Sequence, residues 1–180
     1  MARTILAGDV TAALAATAHA PTTAFANGTP RRIADVILIH AQSIQLCADP
    51  AAGLERMRAL QILCAVRRGP WGASTIADAV DRDLASHARQ DSWYHGRIVL
   101  ITVNDRMRDL MNGDVGLCWR AENELRVFFP RPTGLLSFAT SDLPGHEPAW
   151  ALTIHKSQGS EYRHVHAVLP PSADHRLAIR

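Results

Sequence analysis

Apolar residues recur at Ile33, Val36, Ile37, Ile39, Ile44 and Leu46, a spacing that predicts a mostly buried helix over residues 32–47. Ala48-Asp49-Pro50 stops it. Asp49 is placed to cap a second helix with Pro50 at its first position, running over about residues 51–59 with Leu54 and Met57 inward. Next comes LQILCAVRRGPWG. Its first seven residues, 60–66, are almost wholly apolar, the pattern of a strand covered on both faces. The run breaks at Arg67-Arg68-Gly69-Pro70, a loop at the carboxyl end of that strand. In open α/β sheets this is where ligands sit, and two arginines there suit phosphate. Ser74 then opens a helix through about Ala85, with Ile76, Val80 and Leu84 at helical spacing.

From about residue 92 the period shortens. RIVLITV, VGLCWR, ELRVFF and GLLSF read as short strands, punctuated by Asn104-Asp105, Asn112-Gly113-Asp114, Glu122-Asn123 and Arg131-Pro132-Thr133-Gly134. Strands of this length at this spacing predict a small β-barrel. Residues 150–154 return to an α/β strand, a polar turn HKSQGSE follows, and a last strand covers residues 164–169 before Pro170-Pro171. The expected layout has four parts. Residues 1–31 form an Ala/Thr-rich, partly disordered entry and residues 32–91 the first part of an α/β domain. Residues 92–146 form a β insert, and residues 147–180 return to the first domain. There are no internal repeats.

The 180 residues are 47% hydrophobic and 20% charged, with a formal net charge of +2. That is globular composition with ample core, and the mild basicity permits a nucleic-acid partner without requiring one. Cys47, Cys64 and Cys118 are widely spaced in apolar settings with no CxxC pair. They read as buried free thiols of a reducing compartment rather than a disulfide framework or zinc site. The opening MARTILAGDVTAALAATAHA is broken by Asp9 and polar residues and is not read as a secretory leader. No apolar run approaches a membrane span, so a cytoplasmic protein with no membrane partner is expected.

The chemistry gathers in WALTIHKSQGSEY, residues 150–162. Of 19 basic residues 18 are arginine, and Lys156 is the single lysine. This stretch resembles the T-x-H-[KR]-[SA]-Q-G-S-E motif of superfamily 1 DNA helicases in the RecD branch, the alpha subunit of exodeoxyribonuclease V. LQILCAVRRGPWG is similar to that branch's motif IV segment. YHGRIVLITVNDRMRDLMNGDVGLCWR is similar to its SH3-like insert, where N-D and N-G-D-x-G recur. The three segments fall in the family's order over residues 61–170.

The resemblance implies a partial RecA-like domain, 2A, interrupted by an SH3-like barrel, 2B. Thr153, His155, Lys156 and Ser157 would contact DNA or couple it to the ATP cleft. Gln158, Gly159 and Glu161 would lie near the nucleotide, and Arg67 or Arg68 would take the motif IV role beside the transferred phosphate. The residue types suit these roles. A glycine permits close backbone approach, a carboxylate accepts from a ribose hydroxyl, a lysine is a point charge for phosphate, and an arginine stabilises a phosphoryl group. ATP and Mg2+ in the complete protein, single-stranded DNA, a preceding RecA-like domain and RecB and RecC subunits follow from the same resemblance. So do 5′ to 3′ unwinding and a place in recombination and double-strand-break repair, with a free-standing RecD-like helicase left open.

The sequence holds no GxxxxGK[ST] loop and no Asp-Glu pair after an apolar strand, and it stops at DHRLAIR, just before the point where the family's Thr-Arg-Ala-Arg motif and arginine finger are expected. The expectation is therefore the C-terminal part of a motor, inactive by itself. The alternative is a non-catalytic DNA- or protein-binding module built on a degenerate motor. No acidic cluster points to a nuclease. His164 and His166 share one side of a strand but lack a third metal ligand, so no metal is expected. Trp119 reads as barrel core, while Trp71, in the loop after the arginines, is the better candidate for exposure.

Overall fold

Helix α1 (Pro30–Gln45) buries one stripe, Ile33, Ile37, Ala41 and Ile44, at intervals of four, four and three residues. Ile39 lies off that stripe and is exposed, and Leu46 falls beyond the helix end and is also exposed. Both had been expected to help bury the helix; rotation by about 100° per residue and the early stop put them outside. Asp49 caps α2 (Pro50–Met57) as expected, its Oδ1 accepting from the Ala52 amide at 2.8 Å, with Pro50 at the first position. The computed structural model describes residues 30–86, 93–158 and 160–170, all within one unit, Thr29–Pro171. The expectations for residues 1–29, Gly159 and the closing DHRLAIR lie outside the described residues.

Strand β1 (Leu60–Cys64) is the centre of a parallel sheet ordered β7–β1–β8, with β7 Ala151–Thr153 and β8 His164–Val168. Ile62 pairs with both Ala151 and His166, which explains why this run is apolar on both faces. Helix α3 (Ala73–Ser86) covers the sheet through Ile76, Ala77 and Val80.

The second sheet is antiparallel and ordered β5–β4–β3–β2–β6. Its strands are β2 Ile98–Ile101, β3 Val115–Ala121, β4 Glu124–Arg131, β5 Gly134–Ala139 and β6 His146–Pro148. Here the barrel expectation is corrected: the sheet is open. Its edge strands β5 and β6 form no ladder with each other, and closure requires one. The sheet is instead held as a layer. Ile98, Leu100, Leu117 and Trp119 point into the core shared with the helices and the parallel sheet. The alternate residues Val99, Ile101 and Cys118 join Val127 and Phe129 in a second core. Strands β2 and β3 are thus buried on both faces. Gly53 of α2 makes this contact close, since a Cβ there would stand 2.7 Å from Leu117 and 2.8 Å from Trp119.

Polar contacts fasten the two layers. Arg97 grips Asp81 of α3 with two hydrogen bonds, Nε to Oδ1 at 3.0 Å and Nη2 to Oδ2 at 2.8 Å, both side chains nearly buried. The Tyr94 hydroxyl donates to Asp81 Oδ1 at 2.7 Å and accepts from Trp150 Nε1 at 3.0 Å. Burial, and then the Asp81 charge, hold the Tyr94 phenol well above its ordinary range. Arg97 also lies 4.6 Å over the Trp93 ring. On the other side, Gln45 Nε2 donates to the His95 carbonyl at 2.9 Å. His95 Nε2 lies 3.2 Å from the Gln45 carbonyl, and its Nδ1 accepts from the Arg120 amide at 3.1 Å. That pair of partners suits the neutral imidazole with its proton on Nε2.

Of the four tryptophans, Trp119 and Trp150 are buried in the shared core. Trp71, the better of the tryptophan candidates for exposure, is half-buried and packs against that core. All three cysteines are free. Burial pushes the Cys64 and Cys118 thiols up to about 12. Cys47, expected to be buried, is only half so because it stands in the turn after α1.

Replacing Asp81 with Ala strands the Arg97 guanidinium in the core and should cost about 3–5 kcal/mol, read as a fall in the urea midpoint. Burial is also the first cause holding His40, His95 and His166 below the ordinary histidine value of 6.5. The unfolded chain therefore takes up protons first, so their contribution to stability is complete above 6.5 and is lost as pH falls below it. Thermal unfolding midpoints should decline between pH 7 and 5, and His95→Gln should flatten part of that decline.

Candidate functional site

The loop Arg67-Arg68-Gly69-Pro70 leaves the carboxyl end of β1 and turns directly into α3. Gly72 makes the turn tight: a Cβ there would stand 2.5–2.6 Å from the Arg67 and Arg68 backbone. The first amides of α3 are already engaged. Ala73 donates to the Val66 carbonyl and Ser74 to that of Arg67, each at 3.0 Å. This helix N-terminus therefore offers little free backbone to an anion, and charge at the site must come from side chains.

Beside this loop, β7 ends at Thr153 and a 3-10 helix (Ile154–Ser157) begins. Thr153 caps it, with Oγ1 accepting from the Lys156 amide at 3.4 Å, and Ser157 Oγ donates to the Ile154 carbonyl at 2.8 Å. The turn thus presents Lys156 toward the end of β1. Between them stands Glu147 of β6. Its Oε1 accepts from Lys156 Nζ at 2.6 Å and its Oε2 from Arg67 Nη2 at 3.3 Å. These three line a pocket with Ser74, Asp78 and Thr153. The antiparallel sheet supplies the carboxylate, and the parallel sheet supplies both cations.

The residues singled out from sequence divide into two places. Arg67, Thr153 and Lys156 meet around Glu147, with Ser157 and the exposed His155 on the same 3-10 helix. Arg68 is exposed and joins no ion pair among the described residues, which separates the two neighbouring arginines by geometry. Gln158 is exposed at the end of the turn. From there the chain crosses to the amino end of β1, where the Arg163 and His164 amides donate to the Arg58 and Ala59 carbonyls. Glu161 therefore lies in a different, open groove with Glu55, Arg58, Gln61, Asp114, Arg131 and Arg163, away from Lys156. Nucleotide-side candidates Arg67 and Glu161 sit at opposite ends of β1.

Sequence reasoning missed Glu147. It stands in GHEPAW with no local pattern to mark it, and only the pairing of β6 with β2 at Leu100 brings it to the cations. The loop around Asn104 is built as turn chemistry suggests. Asn104 Oδ1 accepts from the Asn112 amide at 2.6 Å, and Gly113 has a φ of +103°. Asp105 accepts from the Met107 and Arg108 amides and pairs with the Arg108 side chain, which holds its carboxyl below the usual range. Among the described residues no group of three or more His, Cys, Asp or Glu is placed to hold a metal. No described helix is long and apolar enough to cross a membrane.

Comparison with known proteins gives a consistent family. The model of the UvrD-like helicase C-terminal domain matches residues 148–180. The RecBCD enzyme subunit RecD of Mycolicibacterium smegmatis is 36% identical over 155 residues, covering 83% of this chain and 27% of that protein. That of Haemophilus influenzae is 33% identical over 144 residues, covering 73% and 21%. The chain thus spans about a quarter of the length of the curated relatives it matches. Among solved structures, a Pif1 helicase from Bacteroides in complex with ADP-AlF3 and single-stranded DNA aligns at 14% identity with a TM-score of 0.41. It covers 75% of this chain and 42% of that one.

The cap at Thr153 gives a direct check on the turn. Thr153→Val removes the acceptor for the Lys156 amide and should cost about 1 kcal/mol in urea unfolding, while Thr153→Ser should keep most of it.

Proposed function

This chain belongs to the RecD family of superfamily 1 helicases, and we propose that it forms the second RecA-like domain of an ATP-dependent DNA helicase subunit. In this reading the parallel sheet with its covering helices is domain 2A. The open antiparallel sheet is the inserted domain 2B. Single-stranded DNA runs across the carboxyl ends of β1 and β7, where Lys156, Thr153, His155 and Ser157 contact its backbone and Arg67 adds a second positive charge. The observation that carries the reading is the convergence of Arg67 and Lys156, 89 residues apart, on one pocket. A guanidinium and an ammonium with side chains 59% and 29% exposed are reachable by a phosphate and chemically suited to it.

ATP with Mg2+ belongs, in this proposal, to the whole protein. The present chain contributes Gln158 and Gly159 near the nucleotide, with Arg68 toward the transferred phosphate, since Arg67 is engaged in the DNA pocket and Glu161 lies at the opposite end of β1. A preceding RecA-like domain supplies the phosphate-binding loop that these residues lack. Charge developing on the phosphoryl group would be stabilised by the arginine without covalent chemistry from this chain. The kinship with RecBCD subunits further proposes RecB and RecC as partners, 5′ to 3′ movement, and work in recombination and double-strand-break repair. The 180 residues alone are proposed to be inactive in ATP hydrolysis.

Fluorescence anisotropy of labelled oligo-dT tests the DNA site on this chain. Binding should weaken as salt rises, and Lys156→Ala should reduce the affinity and make the slope of log K against log salt shallower by about 0.7. In the complete motor the same substitution should lower DNA-stimulated ATP turnover with folding intact. An unchanged slope together with wild-type turnover would remove Lys156 from the site.

A further inference from the structure

We infer that Glu147 is a built-in phosphate surrogate, holding Arg67 and Lys156 until nucleic-acid phosphate displaces it. The inference rests on the single-stranded DNA reading given above. It adds a residue that sets how tightly, and at what salt, that site binds.

The geometry makes the case. Each carboxylate oxygen is committed to a different cation, Oε1 to Lys156 Nζ at 2.6 Å and Oε2 to Arg67 Nη2 at 3.3 Å. Two anionic oxygens bridging a guanidinium and an ammonium is also the arrangement a phosphodiester would make with the same pair. The backbone does not offer a second anchor, since the first amides of α3 are already bonded to the Val66 and Arg67 carbonyls. An incoming phosphate therefore competes with Glu147 for the same two cations. Asp78, on the same pocket wall, brings the local count to two cations against two carboxylates. Without exchange the pocket has no net attraction for an anion.

The exchange is physically cheap. The Glu147 side chain is 29% exposed and its partners are 59% and 29% exposed, so solvent screens both ion pairs. The Glu147 backbone is held in the ladder with β2 opposite Leu100, so release requires only a rotation of its side chain. Glu147 sits on the antiparallel sheet while both cations sit on the parallel one. Occupancy of the pocket is thereby tied to contact between the two layers.

Oligo-dT anisotropy on the full 180-residue chain tests this with Glu147→Gln, which keeps the shape and removes the charge. Binding at low salt should tighten about fivefold. The slope of log K against log salt should steepen by about 0.7, because a second cation is freed to displace counterions. Glu147→Ala should behave alike, which separates charge from shape, and thermal melts should show both variants folded. Adding Lys156→Ala to Glu147→Gln should return the slope to the wild-type value. A Glu147→Gln affinity and slope equal to wild type, while Lys156→Ala weakens binding, would overturn the surrogate and leave the DNA site standing. Weaker binding in Glu147→Gln would also overturn it, making Glu147 a support of the cations rather than a competitor. Salt-independent binding, or none, in every folded variant would sink both the surrogate and the DNA reading beneath it.

Discussion

The two layers of this protein are joined by one nearly buried ion pair, and much of the architecture is arranged around it. Asp81 sits on the helix that covers the parallel sheet, and Arg97 lies just before the first strand of the antiparallel sheet. A charge taken out of water costs several kcal/mol unless it is matched and hydrogen-bonded. Here the match is close to complete: two bonds from the guanidinium, a third to the carboxylate from Tyr94, and Trp150 donating to Tyr94 in turn. The pair makes any other docking of the sheets expensive, because sliding one layer would strand both charges. Apolar packing alone is far less particular, since the shared core of Ile, Leu and Val tolerates small shifts.

That fixed docking is what gives the pocket its composition. Glu147 reaches Lys156 and Arg67 only because β6 is laddered to β2, and β2 begins directly after Arg97. Trp150, the last member of the buried network, stands one residue before β7, the strand that ends in Thr153 and the Lys156 turn. Trp150 of the network and Glu147 and Lys156 of the pocket therefore fall within ten consecutive residues, 147–156.

Much of the scaffold was legible in the sequence. The Asp49-Pro50 cap, the doubly covered strand at residues 60–64, the helix opening near Ser74 and the glycine turn at Gly113 all follow from local rules of capping, periodicity and positive φ. The barrel did not follow. Short alternating strands with turn residues between them are common to closed barrels and open sheets, and the choice depends on whether the edge strands meet. Ile39 and Leu46 are exposed for a similar reason: an apolar residue at a helix flank or end is buried only if a neighbour arrives to cover it.

The sequence by itself determined the family, through an ordered set of polar motifs, and the local geometry that presents Lys156 from a capped turn. These are short-range properties, fixed by residues within a few positions of one another. Only the tertiary structure decided that Arg67 rather than Arg68 faces Lys156, that Glu161 lies at the far end of β1, and that a carboxylate from another sheet stands between the cations. Those outcomes depend on strand order and on layer docking. Both are set by pairings between residues 47 to 89 positions apart, such as Leu100 with Glu147, Arg67 with Glu147 and Ile62 with Ala151, and no local pattern encodes such distances.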